Sequence, residues 1–243
     1  MCFHIAIFSK KQDIERRFDA QFTFPGFSAV HHSAGYEYKA LPVITNRQPK
    51  QIQAFRWGLV PHWAKDENIR SQTLNARSET ALEKPSFKKA MHSQHCLVPC
   101  SGFFEWQLRD KKKFPYFIYL PDSEIFSFAG IWDEWLYGEK IYQSFSLLTT
   151  EANPFMAKIH NVKQRMPVIL SQPQEPLWLS DGLKEKEILN LCRPYKGEME
   201  AYPVSRLITD KNQDSNQPAV HEPYFYQEFD HPKDSGDQLK LFD

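Results

Sequence analysis

Cys2 is the residue of this chain with the most chemistry open to it. Once Met1 is trimmed, as a small second residue permits, Cys2 carries a free α-amine and a thiol on adjacent carbons. The amine has an unperturbed pKa of roughly 7.7–8.0 and the thiol of roughly 8.5, so both are partly nucleophilic near neutrality. Such a pair captures aldehydes. The amine forms a Schiff base, and the thiol closes onto the imine carbon to give a thiazolidine. The plain alternative is a small hydrophobe leading into the buried strand Phe3-His4-Ile5-Ala6-Ile7-Phe8.

Further segments carry groups that suit proton transfer or anion binding. Glu105 lies in the apolar run Gly102-Phe103-Phe104-Glu105-Trp106, where a carboxylate is unfavourable unless paired or functional. Desolvation there raises its pKa toward that of a general acid or base, unless it sits on an edge strand facing water. His160 precedes Asn161-Val162-Lys163-Gln164-Arg165-Met166-Pro167 and is either a proton carrier or a satisfied structural histidine. Arg165 holds a phosphate or braces its own loop. Asn75-Ala76-Arg77-Ser78-Glu79 offers an amide and a guanidinium fork suited to phosphate, or an ordinary helix cap. Trp63, in a polar context after Trp57-Gly58-Leu59-Val60-Pro61, is a candidate stacking wedge. Cys96 and Cys100 have a loose metal-like spacing, but no second pair or His doublet completes a set, so neither metal nor cofactor is expected.

The elements that must position these groups are short. Strands are predicted near residues 2–8, 41–45, 52–58, 95–99, 102–107, 116–120, 125–131, 142–149 and 166–170. A surface helix is predicted over 10–22, with further helices over 78–83, 86–93, 154–160, 175–179 and 183–192. Many short strands with a few helices, and no βαβ alternation, predict an α+β fold. Its core is a mostly antiparallel, barrel-like sheet with peripheral helices.

The chain has 30 basic and 30 acidic residues, which excludes a bulk electrostatic nucleic-acid binder and requires any such contact to be local. No signal segment or membrane-length apolar run occurs, so a cytoplasmic, membrane-free protein is expected, with its cysteines reduced. One folded domain is expected over 2–224 and a polar, flexible tail over 225–243. That tail ends in Gln238-Leu239-Lys240-Leu241-Phe242-Asp243, whose apolar residues invite a covering partner.

Taken together, these segments resemble one family. Cys2, the Trp57–Trp63 turn, Asn75–Glu79, Gly102–Trp106, His160 before Arg165-Met166-Pro167, and Tyr202-Pro203-Val204-Ser205 look like the SRAP family of abasic-site processing proteins, from about Cys2 to Val220. The resemblance implies the SRAP fold and binding of single-stranded DNA. It also implies capture of the ring-opened deoxyribose aldehyde by Cys2, which shields the lesion during replication. It implies that Asn75 positions the sugar, Glu105 transfers protons and His160 assists ring opening. Arg77 is then a backbone contact, with His4, Arg165 and Trp63 as further DNA-binding candidates. A lyase side reaction and self-release of Met1 belong to the same expectation, as does a monomer associated with the nucleoid during DNA damage. The usual Met-Cys-Gly-Arg opening is replaced by Phe3-His4, and the usual Asn-x-Ala-Pro segment is absent. Gln238, Leu239, Leu241 and Phe242 are similar to the short peptide by which bacterial repair proteins dock on the replicative sliding clamp. Two other readings stand beside this one: an N-terminal-nucleophile peptidase or amidase, and a non-catalytic nucleic-acid binding module.

Overall fold

A computed structural model describes residues 2–229. Two sheets share the core. In one, Gln51–Trp57, Ala40–Thr45, His95–Cys100, Phe126–Tyr137 and Lys140–Glu151 follow one another in antiparallel register. A single parallel pairing, Ser144 with Arg56 and Phe145 with Trp57, closes them into a five-stranded barrel. Closure removes the unpaired edges that an open sheet would expose. The second sheet is antiparallel throughout, in the order Glu200–Pro203, Lys112–Tyr119, Gly102–Arg109, His4–Ile7, Val30–Ala34. The barrel strand His95–Cys100 passes through Ser101 straight into Gly102–Arg109, so one continuous segment belongs to both sheets. The α+β, mostly antiparallel architecture expected from the sequence is the one observed.

Aromatic side chains fill the barrel, with Phe55, Trp57, Phe128, Trp132 and Phe145 all buried. Each contributes about 1.5–3 kcal/mol by leaving water. The buried indoles find acceptors, as they must: Trp57 Nε1 donates to the Leu74 carbonyl at 2.8 Å and Trp178 Nε1 to that of Cys96 at 3.0 Å. A second, smaller cluster of Ala6, Phe104, Phe117, Val204, Ile208 and Val220 lies on the other face of the second sheet. Helices are peripheral and short. No helix among the described residues is long and apolar enough to cross a membrane.

Several expectations need correction. The helix predicted over 10–22 spans only Lys11–Phe18, because Asp19 turns left-handed at φ 48°, and Gln21–Phe22 then pairs as a strand with Gln51–Ile52. Asn75–Arg77 is a strand running parallel to Leu147–Thr149, not a helix cap. Val30–Ala34 and Glu200–Pro203 were not anticipated as strands. The packed part of the chain also runs past 224: Tyr226 is buried, donates its hydroxyl to the Val204 carbonyl, and meets Phe114 edge-on and Phe229 at a tilt. Residues 230–243, including the clamp-like peptide, lie outside the described residues.

Gly102 shows how closely the Phe117 ring packs over the neighbouring strand. A Cβ there would lie 2.1 Å from Cζ of Phe117, deep inside van der Waals contact. Gly102→Ala is expected to lower stability by about 1–3 kcal/mol, typical of overpacking. A reduced urea midpoint at unchanged slope would report it, and Phe117→Leu in the same chain should recover part of the loss. An unchanged midpoint would mean that the Phe117 ring moves aside freely.

Candidate active site

The first strand and its neighbour build the site. Ile5 pairs with Phe103 and Ala6 with Gly102, so Ile5 and Phe103 share a face. Strand alternation then sets Phe3 and Glu105 on that same face, and His4, Phe104 and Trp106 on the other. Ring contacts agree: His4 meets Trp106 edge-on at 4.7 Å, and His32 meets Phe104 at 5.6 Å.

Cys2 is fully buried at the head of this strand, its Sγ 3.8 Å from the His4 carbonyl. Burial pushes its thiol pKa far up, and the neighbouring acidic groups of Glu105 and Cys100 add to the rise whenever they ionise. The sulfur therefore rests as a neutral thiol. Glu105 is 4 % exposed, and burial lifts its carboxyl to about 8, with Lys163 pulling weakly the other way. At neutral pH it is mostly the protonated acid.

His160 caps the helix Pro154–Ile159, whose start is fixed by the Asn153 side chain accepting from the Met156 amide. Its Nδ1 lies 2.8 Å from the Arg165 carbonyl. A carbonyl only accepts, so Nδ1 carries the proton and Nε2 presents its lone pair. That Nε2 sits 3.8 Å from Glu105 Oε2, and burial holds the imidazole pKa below its usual value. The pair at rest is a neutral acid facing a neutral base.

What holds the two together is Asn161. It exchanges two hydrogen bonds with Leu108, accepting from its amide at 3.0 Å and donating to its carbonyl at 2.8 Å. This staples the His160 loop to the strand that carries Glu105. Gln164, at φ 48°, then turns the chain back. Arg165 acts internally: its guanidinium binds the Glu79 carboxylate through both terminal nitrogens and the Thr149 carbonyl at 2.8 Å. It braces the loop against the Asn75–Glu79 segment and does not face solvent.

Two pockets flank Phe3. One, of about 390 Å³, is lined by Phe3, His4, Glu105, Trp106, Leu108, Lys113, His160, Val162, Lys163 and Thr209. The other, of about 450 Å³, is lined by Phe3, Tyr36, Asn75, Arg77, Thr80 and Lys84 among others. Asn75 is buried, yet neither its Oδ1 nor its Nδ2 has a hydrogen-bond partner in the protein. A buried amide left unpaired costs about 1–3 kcal/mol, so its retention suits a ligand. Arg77 is largely exposed at the rim. Trp63 is half exposed on the loop after the barrel strand and lines neither pocket; beside it, the Ala64 carbonyl accepts from Trp135 Nε1. His4 is held down to about 3 by burial and by its 2.8 Å contact with His32, so it is neutral and no substitute for an arginine. Sequence reasoning missed Asn161, Lys113, Lys163 and Tyr36. Only a hydrophobic aromatic beside Cys2 hinted at the Phe3 partition.

Residues 1–211 match the family model described as SOS response associated peptidase (SRAP). The chain is 37 % identical over 221 residues to "Abasic site processing protein YoaM" of Bacillus subtilis, covering 88 % of this chain and 96 % of that protein. It is 30 % identical to "Abasic site processing protein HMCES" of Gallus gallus, over 72 % of this chain and 61 % of that one. A crystal structure of a Bacteroides thetaiotaomicron protein superposes with a TM-score of 0.86 at 34 % identity, covering 92 % of this chain and all of that one. The protein belongs to the SRAP family.

The raised Glu105 pKa has a consequence for stability. The carboxyl titrates near 4.5 when unfolded and near 8 when folded, so the native state binds the proton more tightly. Stability from this group is full below pH 4.5 and falls as pH rises toward 8. Near pH 7 the deficit amounts to a few kcal/mol. Glu105→Gln, neutral at every pH, is expected to melt with the wild type at pH 5 and several degrees above it at pH 7.5. Parallel melting curves across that range would contradict the assignment.

Proposed function

We propose that the protein binds single-stranded DNA and captures abasic sites covalently through Cys2, shielding the lesion from cleavage. The observation that carries this reading is that buried Cys2 lies within electrostatic reach of Glu105, which shares one pocket with a neutral His160. The names of the relatives, which describe abasic-site processing, support it.

After loss of Met1, the Cys2 amine adds to the aldehyde carbon of the ring-opened deoxyribose. Glu105 gives a proton to the departing hydroxyl, water leaves, and an imine remains. His160 Nε2 accepts or returns the proton that opens or closes the sugar ring. The thiol then adds across the imine: sulfur bonds to carbon, and the thiol proton ends on nitrogen. A neutral, buried thiol fits this order, in which nitrogen attacks first. The same high thiol pKa disfavours direct attack of sulfur on an amide, the step a peptidase of this type would need. The imine also permits elimination of the 3′ phosphate, a lyase reaction that ring closure forestalls. Self-release of Met1 belongs to the same proposal.

Asn75, with both amide atoms open to a ligand, suits the sugar hydroxyls. Arg77 and Lys84 on one side of Phe3, and Lys113 and Lys163 on the other, supply local positive charge for phosphates in a chain of zero net charge. Gln238, Leu239, Leu241 and Phe242 are proposed to tether the protein to the replicative sliding clamp; deleting 238–243 is expected to abolish retention on immobilised clamp without altering DNA capture.

Met-trimmed protein mixed with single-stranded DNA bearing one abasic site is expected to give a heat-stable adduct by denaturing gel and intact mass. Cys2→Ala should give none, and Glu105→Gln should slow formation by about 10²-fold or more. The wild-type rate should fall above pH 8 as Glu105 ionises, a limb that Glu105→Gln lacks. Absence of an adduct from correctly trimmed wild type would remove the proposal.

A further inference from the structure

Phe3 follows the reactive residue directly and is the one described residue that lines both pockets. Its position is fixed on two sides. The Gly35 amide donates to the Phe3 carbonyl at 2.8 Å, and the next residue, His4, pairs with Ala34. Its ring rests on that of Tyr36, with centroids 5.2 Å apart and planes at 33°. Tyr36 is 56 % exposed, so the pair forms a short aromatic wall reaching into solvent between Asn75 on one side and Glu105 with His160 on the other. Nothing in the aldehyde chemistry requires such a wall.

The carbon that Cys2 attacks in an abasic sugar is the carbon that carries the base in an intact nucleotide. The nucleophile therefore has to work inside the volume a base would fill. The side chain beside it must either leave that volume empty or occupy it. Here it is a large flat ring.

We propose that Phe3, backed by Tyr36, is a lesion-selecting wedge that takes the place of the missing base between its two neighbours and excludes nucleotides that still carry theirs. The inference rests on the abasic-site reading above and adds what chooses the substrate. Stacking on a protein aromatic is tolerant of sequence but stronger for the larger purines, so purine neighbours should favour capture.

The test compares wild type, Phe3→Ala, Phe3→Tyr and Tyr36→Ala on single-stranded DNA whose abasic site is flanked by purines or by pyrimidines. Free 2-deoxyribose serves as a control substrate that has no neighbouring bases. Wild type should react faster with purine flanks. Phe3→Ala should lose about tenfold in rate on DNA, lose the flank preference, and be inhibited more strongly by undamaged strand of the same sequence. Its reaction with 2-deoxyribose should persist, and Phe3→Tyr should restore both rate and preference. Tyr36→Ala, a change at an exposed ring, should weaken the preference without unfolding the chain, and so decides the matter if Phe3→Ala misfolds. A wild type that makes no adduct at all would defeat the abasic-site reading. A wild type that makes adducts with no flank preference, or variants that match it on every substrate, would defeat the wedge alone.

Discussion

The structure depends on the antiparallel pairing of the chain's first strand with Gly102–Arg109. An amino terminus is ordinarily frayed, because few contacts offset the entropy of ordering it. Here the first residues run into the middle of a sheet, flanked by Gly102–Arg109 on one side and Val30–Ala34 on the other. That placement buries Cys2 and brings it beside Glu105. Because Gly102–Arg109 continues directly from a barrel strand, the position of the terminus is tied to the rigid core of the molecule.

Dryness then sets the protonation states. Glu105 and His160 are both displaced toward their neutral forms, and in both cases burial is the leading cause. A solvated pair at the same separation would exist as carboxylate and partly charged imidazole. Withdrawn from water, it becomes an acid that can donate and a base that can accept at neutral pH. Asn161, Arg165 and Glu79 line neither pocket, yet the bonds they make keep this arrangement from relaxing. Arg165, with both terminal guanidinium nitrogens bonded inside the protein, stabilises the loop that aims His160.

Zero net charge and a proposed nucleic-acid partner are compatible because the charges are unevenly placed. Lysines and an arginine line the two pockets beside Phe3, while many acidic residues are engaged in ion pairs elsewhere, as in Arg17 with Glu175 and Arg47 with Glu134.

Much was legible in the chain itself. Short apolar runs between turn residues marked most barrel strands, because these strands are buried along most of their length. The motifs around Cys2, Asn75, Glu105 and His160 carried the family, because their side-chain chemistry is unusual in its local context. Strands such as Val30–Ala34 and Asn75–Arg77 were not legible: they are short, polar or histidine-bearing, and exist only because a neighbouring strand supplies their hydrogen bonds. The same holds for roles. Sequence alone left Arg165 open between phosphate and brace, and His4 open as an arginine substitute. Only the fold decided these, since a guanidinium binds whatever carboxylate the tertiary structure brings to it, and an imidazole's charge depends on the water it keeps. The partition of the site by Phe3 is likewise a fact of three dimensions. Sequence named the reactive groups, while packing determined which of them meet, and in what protonation state.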